Sequence, residues 1–342
     1  VDLNDFSVMA LWTAIALYAL AFIAFTFDLA RRGSQVREAA TAVTAPRSAV
    51  ARAASAASAS AAVAVDARGA RTATIERSSG GGGTARVTPT PSPSLRVGVA
   101  LTTLGFLVHL TADVTRGIAA NRVPWANMYE FAMTGTLLIV GVFLLVLVRE
   151  DLRFLGTFVT GLVVVLLGIS TLNFYVEIAP LPPALQSAWL VIHVFVASLG
   201  TAFLALGFAL SVVQLIQSRQ EALRLELSAL KLRFLATLPN ADRLENLAYR
   251  VNIIGFIFWT FTLIAGAVWA ESAWGRYWGW DTKEVWTFII WVIYAGYIHA
   301  RATRGWRGTR SAWLSIIGFA AVLFNFGIVN VFFKGLHAYS GL

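Results

Sequence analysis

The chain of 342 residues contains no cysteine. That excludes a disulfide framework, a thiolate metal site and a cysteine nucleophile. It does not fix the compartment, because a protein working beside thiol chemistry can itself lack thiols. Charge is scarce as well. Asp, Glu, Lys and Arg make up 13% of the residues, against about a quarter in a soluble globular domain. There are three methionines and four histidines, so a transition metal would find few side chains to bind.

What the chain has is apolar surface: 58% of its residues are hydrophobic. They fall in blocks of about 18 or more, the length that crosses a bilayer as a helix. The pattern predicts an all-α, polytopic membrane helical bundle of eight spans, near 6–29, 96–115, 127–148, 153–172, 188–216, 251–271, 284–301 and 311–333. No Ala-x-Ala site follows the first block, which therefore reads as a retained helix and not a removed signal peptide. The formal net charge of +9 sits largely in arginines beside apolar blocks, as in cytoplasmic loops. No nucleic-acid partner is expected on that ground.

Three regions follow. Residues 1–30 hold the first transmembrane helix. Residues 31–95 form a basic cytoplasmic linker rich in Ala, Ser and Arg, with Gly80 to Gly83 and with Pro89, Pro91 and Pro93; they have too few large apolar residues to offset the entropy of ordering. Residues 96–342 form the main membrane domain. Eight spans put the turn with Arg149 and Arg153, the stretch 217–250 and the turn with Arg301, Arg304, Arg307 and Arg310 on the linker's side. The opposite side then holds both termini and the loops 116–126, 173–187, 272–283 and 334–342. Within 219–235, Leu223, Leu227, Leu230 and Phe234 recur at helical spacing and predict an amphipathic helix on the cytoplasmic surface.

The loop 269–286 is the densest signal. It holds Trp269, Trp274, Trp278, Trp280 and Trp286, with Tyr277 and the charged Arg276, Asp281, Lys283 and Glu284. Interfacial aromatic belts supply one or two such rings per span end. Five indoles here suit a flat apolar ligand with an anionic edge. A porphyrin stacks on rings, and its propionates pair with Arg276 or Lys283. The plainer alternatives are a structural aromatic belt, and a salt-bridged turn made by Asp281, Lys283 and Glu284. Tyr129 and Glu130 can likewise simply anchor a helix end.

The histidines are His109, His193, His299 and His337. An ionisable side chain in a span is costly and functional by default, and imidazole is the natural heme-iron ligand here. His193 at the outer start of the fifth span and His337 beyond the eighth share the height of the tryptophan loop. His299 lies about 25 Å below the outer face at 1.5 Å per residue. It needs a ligand from another chain, or it snorkels toward the inner arginines. His109 lies in the outer half of the second span, with no clear mate.

The run WGRYWGWDTKEVWTFIIWVIYAGYIHAR resembles the tryptophan-rich signature of the CcsA/ResC family, the membrane subunit of the system II cytochrome c synthase. It departs at Thr282, where the family usually has Pro. PWANMYE at 124–130 and KGLHAYSG at 334–341 resemble that family's outer loop and C-terminal histidine motifs. The related CcmC and CcmF proteins share the tryptophan shelf but differ after the Asp. The resemblance covers roughly 96–342. It implies that His193 and His337 flank the shelf and ligate heme b, held non-covalently and transiently, with Trp274, Trp278, Trp280, Asp281, Arg276 and Lys283 around it. His299 matches the histidine of an inner heme site. The implied partners are a ResB/CcsB-type membrane protein and an apocytochrome c. The implied activity is heme lyase chemistry on the extracytoplasmic face of a bacterial plasma membrane, with thioethers formed to the thiols of a Cys-x-x-Cys-His segment. A heme exporter or chaperone without lyase activity remains the alternative, and a purely structural subunit the third reading.

Overall fold

The computed structural model describes residues 2–44, 92–223, 233–333 and 335–337. The stretch 45–91 of the expected linker, Leu227 and Leu230 of the expected surface helix, and most of the 334–341 motif lie outside the described residues. Among the described residues every regular element is helical, as the apolar blocks predict. The long helices are α1 (Leu3–Thr44), α2 (Pro93–Ala120), α3 (Met128–Leu147), α4 (Gly156–Asn173), α5 (Ala188–Leu223), α6 (Ala241–Trp274), α7 (Thr282–Arg304) and α8 (Thr309–Phe324).

Seven of these are long and apolar enough to cross a membrane, and α7 is the exception. Lys283 and Glu284 in its first turn, with its Trp and Tyr residues, lower its mean hydropathy. It still runs beside α6 through the depth of the bundle. Trp259 Nε1 donates to the Thr287 carbonyl at 3.1 Å, Trp291 Nε1 to Thr260 Oγ1 at 3.0 Å, and Arg301 Nε to Glu245 Oε1 at 3.1 Å. From Thr287 and Trp291 against Trp259 and Thr260 at one end to Arg301 against Glu245 at the other, the α6 numbers fall as the α7 numbers rise, so the two helices are antiparallel. Helix α1 continues well past the expected end near residue 29. Arg32 does not stop it, because its Nε reaches Asp28 one turn back at 2.7 Å.

Local chemistry sets the helix ends. Ser92 caps α2 by accepting from the Leu95 N–H, with Pro93 in the first turn, where a missing N–H costs nothing. Asp281 and Glu284 form a reciprocal capping box at the start of α7. Helix α6 ends on Gly275 at φ +68°, a conformation that favours glycine. Helices α5 and α6 form the central seam, and α3 and α8 pack on α5. At that seam Gly207 faces Asn252 and Gly255 faces Leu204 so closely that a Cβ on either would clash. Small residues permit such close backbone approach in membrane helices.

The bundle has two distinct ends. At one, Arg243 pairs with Glu150 at 3.7 Å, Arg301 with Glu245 at 3.1 Å, and Gly33 lies beside Phe234. This arginine end gathers the three basic loops that the span count placed together. The other end holds the tryptophan loop, the 121–127 turn, the 174–187 loop and residues 335–337. Fully buried Arg116 and Glu130 pair there at 3.1 Å, and Arg122 joins Glu130 at 2.6 Å. Glu130 therefore anchors the start of α3, as the plainer reading of that motif expects. Past Phe324 the last helix becomes a π-turn, Asn325–Val329, before a final short turn Asn330–Phe332.

Candidate functional site

His193 sits in the second turn of α5. Its Nδ1 lies 3.0 Å from the Thr262 carbonyl of α6. A carbonyl only accepts, so Nδ1 carries the proton and Nε2 keeps its lone pair. The ring stacks on Trp269 at 5.8 Å between centroids and 14° between planes. Its other side is closed by Gly266, where a Cβ would come within 2.8 Å of His193 Cε1.

His337 arrives from the opposite end of the sequence. Its Nδ1 lies 2.7 Å from Asp281 Oδ2, and Asp281 Oδ1 also accepts from the Leu336 N–H at 3.1 Å. The hydrogen bond from His337 holds the Asp281 carboxyl below the ordinary carboxylate range, against the opposing effect of burial. The His337 ring meets Trp269 edge-on at 5.5 Å and Trp274 at 4.8 Å. A histidine whose Nδ1–H is fixed by a carboxylate or carbonyl is the usual form of a metal-ligating imidazole. Both histidines have that form.

The two histidines line one cavity of about 1280 Å³, counting its open mouth. Trp269, Trp125 and Phe131 supply aromatic wall, and Trp259 and Phe319 lie deeper. Lys283, Asn325 and Asn330 bring polar groups to one part of the wall, with Asn127 and four threonines elsewhere on it. Lys283 Nζ donates to Asn330 Oδ1, and lies 3.5 Å from the Asn325 carbonyl oxygen. Trp278 joins His193, His337 and Lys283 around an adjoining opening. The donor set suits an iron porphyrin: two imidazoles with Nε2 to give, an aromatic wall, and one ammonium for an acidic edge.

Other expected site residues stand elsewhere. Arg276 is exposed and its guanidinium reaches the Gly279 carbonyl at 3.4 Å, away from the cavity. Trp280 is 76% exposed and adopts φ +58°, a left-handed conformation that is uncommon for a bulky side chain. It touches Trp278 edge-on. His299 is exposed on α7, 16 residues and so about 24 Å along the helix from Lys283. His109 is fully buried and faces the Tyr18 hydroxyl at 3.3 Å, which gives it a packing role between α1 and α2.

Sequence reasoning passed over several residues at the cavity. Asn325 and Asn330 are amides in an apolar span, and that alone could have flagged them. Gly266 and Thr262 gave no signal, because only the packing of α5 on α6 brings them to His193.

The family model described as cytochrome C assembly protein matches residues 125–337. That range runs from the tryptophan in the cavity wall to the second histidine. The cytochrome c biogenesis protein CcsA of Guillardia theta is 35% identical over 264 residues, covering 72% of this chain and 86% of that protein. The CcsA of Heterosigma akashiwo is 36% identical over 251 residues, covering 65% of this chain and 78% of that protein. Among solved structures, the cytochrome c heme lyase CcmF matches all of this chain and 50% of its own length, with a TM-score of 0.59 and 17% identity. This chain thus spans half of that structure, and the likeness is one of fold.

Proposed function

This chain belongs to the CcsA family of cytochrome c biogenesis proteins, and from that premise we propose that it presents heme to apocytochromes. One observation carries the reading. His193 and His337, from distant parts of the sequence, flank one buried indole and line one cavity, each with Nδ1 already engaged.

In this reading the two Nε2 atoms ligate the iron from either side. Trp269 packs against both imidazoles and Trp274 against that of His337, and they fix the ring planes. Asp281 orients His337 through its Nδ1. Bound heme supplies two vinyl groups. Each thiol of the client adds across one vinyl, so that a C–S bond forms and the thiol hydrogen passes to the neighbouring carbon, with no net oxidation. The chain lacks cysteine, so both sulfurs come from the client. What its own residues contribute is position: they hold the porphyrin face and rotation so that thiol and vinyl meet. The client's own histidine then displaces one of the two imidazoles.

The same reading assigns partner and orientation. His299, exposed on α7, meets a ligand from a ResB/CcsB-type membrane protein. The arginine end faces the cytoplasm by the positive-inside rule, which puts the cavity on the extracytoplasmic side of a bacterial plasma membrane.

Co-expression with such a partner and an apocytochrome tests this. Covalent heme staining of the client is expected with the native chain. With His193→Ala or His337→Ala it falls at least about tenfold, as for a lost metal-site group, and added imidazole restores it. Normal yield from His193→Ala without imidazole would overturn the proposal.

A further inference from the structure

The wall of the cavity opposite α3 contains an arrangement that ligation of iron does not use. Lys283, in the first turn of α7, sends its ammonium into the cavity. Nζ has three hydrogens to donate. One goes to Asn330 Oδ1, and one lies toward the Asn325 carbonyl at 3.5 Å. Among the described residues no carboxylate forms an ion pair with it. Asp281, two residues earlier, acts on it through space without pairing, and a half-buried ammonium with no paired carboxylate is costly.

The backbone around it is built for this contact. The α-helical hydrogen-bond pattern of α8 gives way to a π-turn over Asn325–Val329. Such turns in α-helices are rare and concentrate at functional sites. The extra residue puts the carbonyl of Asn325 and the side chain of Asn330 on the same ammonium. The Asn325 side chain is held as well, with Nδ2 3.3 Å from Thr287 Oγ1. Its Oδ1 is buried and has no hydrogen-bond partner, although Asn325 lines the cavity. That open acceptor calls for a donor, which an ionised carboxylate does not offer, so the contact open to an acidic group here is the Lys283 ammonium.

We propose that Lys283, positioned by Asn330 and Asn325 across the π-turn, is a carboxylate subsite for one heme propionate, and that it sets the in-plane rotation of the porphyrin. The proposal rests on the heme reading above and adds the rotational specificity that ligation cannot give. Two axial imidazoles fix the iron but leave the macrocycle free to turn about the Nε2–Fe–Nε2 axis. Porphyrin propionates share one edge and the vinyls lie toward the other. Anchoring the acidic edge on the α7–α8 wall turns the vinyl edge away from Lys283, toward the client. Lys283 touches the ligand. Asn330 and Asn325 act through it and are positioning residues.

The test is a Soret titration of the purified full-length chain with hemin and with hemin dimethyl ester, which keeps the iron and the ring but has no acidic edge. The native chain is expected to bind hemin about tenfold or more tightly than the diester, the range of a charge-assisted hydrogen bond. Lys283→Met and Asn330→Leu are expected to lose most of that preference while keeping a low-spin bis-imidazole spectrum. Lys283→Arg, which retains a cation, keeps most of it and covers the case in which the Met variant fails to fold. Resonance Raman adds a readout that a packing role would not move: the propionate bending mode shifts in Asn330→Leu. Equal affinity of the native chain for the two hemins, or an undiminished preference in both Asn330→Leu and Lys283→Met, overturns the subsite and leaves heme binding intact. No Soret change with either hemin removes the heme reading itself, and the subsite with it.

Discussion

Gly266 has no side chain, and the His193 ring occupies the space where one would project. A methyl group there would come within 2.8 Å of Cε1 and 3.0 Å of Nδ1, closer than real Cβ contacts allow, so the ring must move off the Thr262 carbonyl. Gly296 on α7 has nothing within 4 Å of its would-be Cβ and is the matching control. Gly266→Ala is expected to weaken heme binding by about 10-fold to 100-fold, the effect of losing the support behind a metal-ligating histidine. Gly296→Ala should leave the Soret titration unchanged. Equal behaviour of the two variants would show that the His193 orientation does not matter. Asp281→Ala belongs to the same class. It removes the acceptor for both His337 and the Leu336 N–H, and a similar loss is expected in the same titration. At this scale the sequence was legible where chemistry is dense. His193, His337 and Lys283 stand out as polar groups in apolar surroundings, and all three reach the cavity. Asp281 also stands out, yet its service to a histidine 56 positions later leaves no mark in the local pattern. Arg276 carries the same charge signal as Lys283 and turns the other way, onto the Gly279 carbonyl. Arg276 lies in the loop between α6 and α7, whereas Lys283 lies in the first turn of α7, and that placement decides which of them reaches the cavity.

Elements are held at the tryptophan end by a buried ionic cluster. Glu130 in the first turn of α3 accepts from Arg116 of α2, from Arg122 and from the Ala126 N–H at 2.9 Å. Arg116 also donates to the Val176 carbonyl at 2.7 Å and lies 5.4 Å from the Tyr129 ring centroid. One carboxylate therefore ties α2, α3 and two loops beside the cavity. Glu130→Ala leaves a fully buried guanidinium without its partner, at a cost of about 3–5 kcal/mol. The expected result is a lower thermal unfolding midpoint in detergent, with His193 and His337 unaltered in type. An unchanged midpoint would mean that the cluster is solvated and weak. The apolar blocks announced the helices because lipid-spanning length is a coarse property that survives errors of several residues. The ends were harder. Across its expected end, α1 carries an i,i+4 pair, Asp28 with Arg32, that follows no apolar rule. The π-turn at Asn325–Val329 is one extra residue in an otherwise regular stretch, and no hydropathy pattern records it.

For the molecule as a whole, the open question is how many times the chain passes through the bilayer. The eight-span reading required α7 to cross. By apolarity alone it falls short, since the residues that build the site and face α6 are Lys283, Glu284 and the aromatics of its outer half. A segment buried against other helices need not be greasy on every side, and α7 places Trp259, Thr260 and Glu245 of α6 against its own Thr287, Trp291 and Arg301. If α7 crosses, packing compensates for composition and hydropathy undercounts the helix that bears the site. The absence of cysteine makes a clean test possible, because every introduced thiol is the only one in the chain. Gln186→Cys lies in an exposed loop at the tryptophan end, and Asp151→Cys and Arg307→Cys are exposed at the arginine end. If α7 crosses, a membrane-impermeant maleimide applied to intact cells labels the thiol at 186 and spares those at 151 and 307 until the membrane is opened. If α7 does not cross, 307 is labelled together with 186. The cavity then opens on the same side as the α7–α8 turn, and the separation of a basic inner face from an aromatic outer one fails.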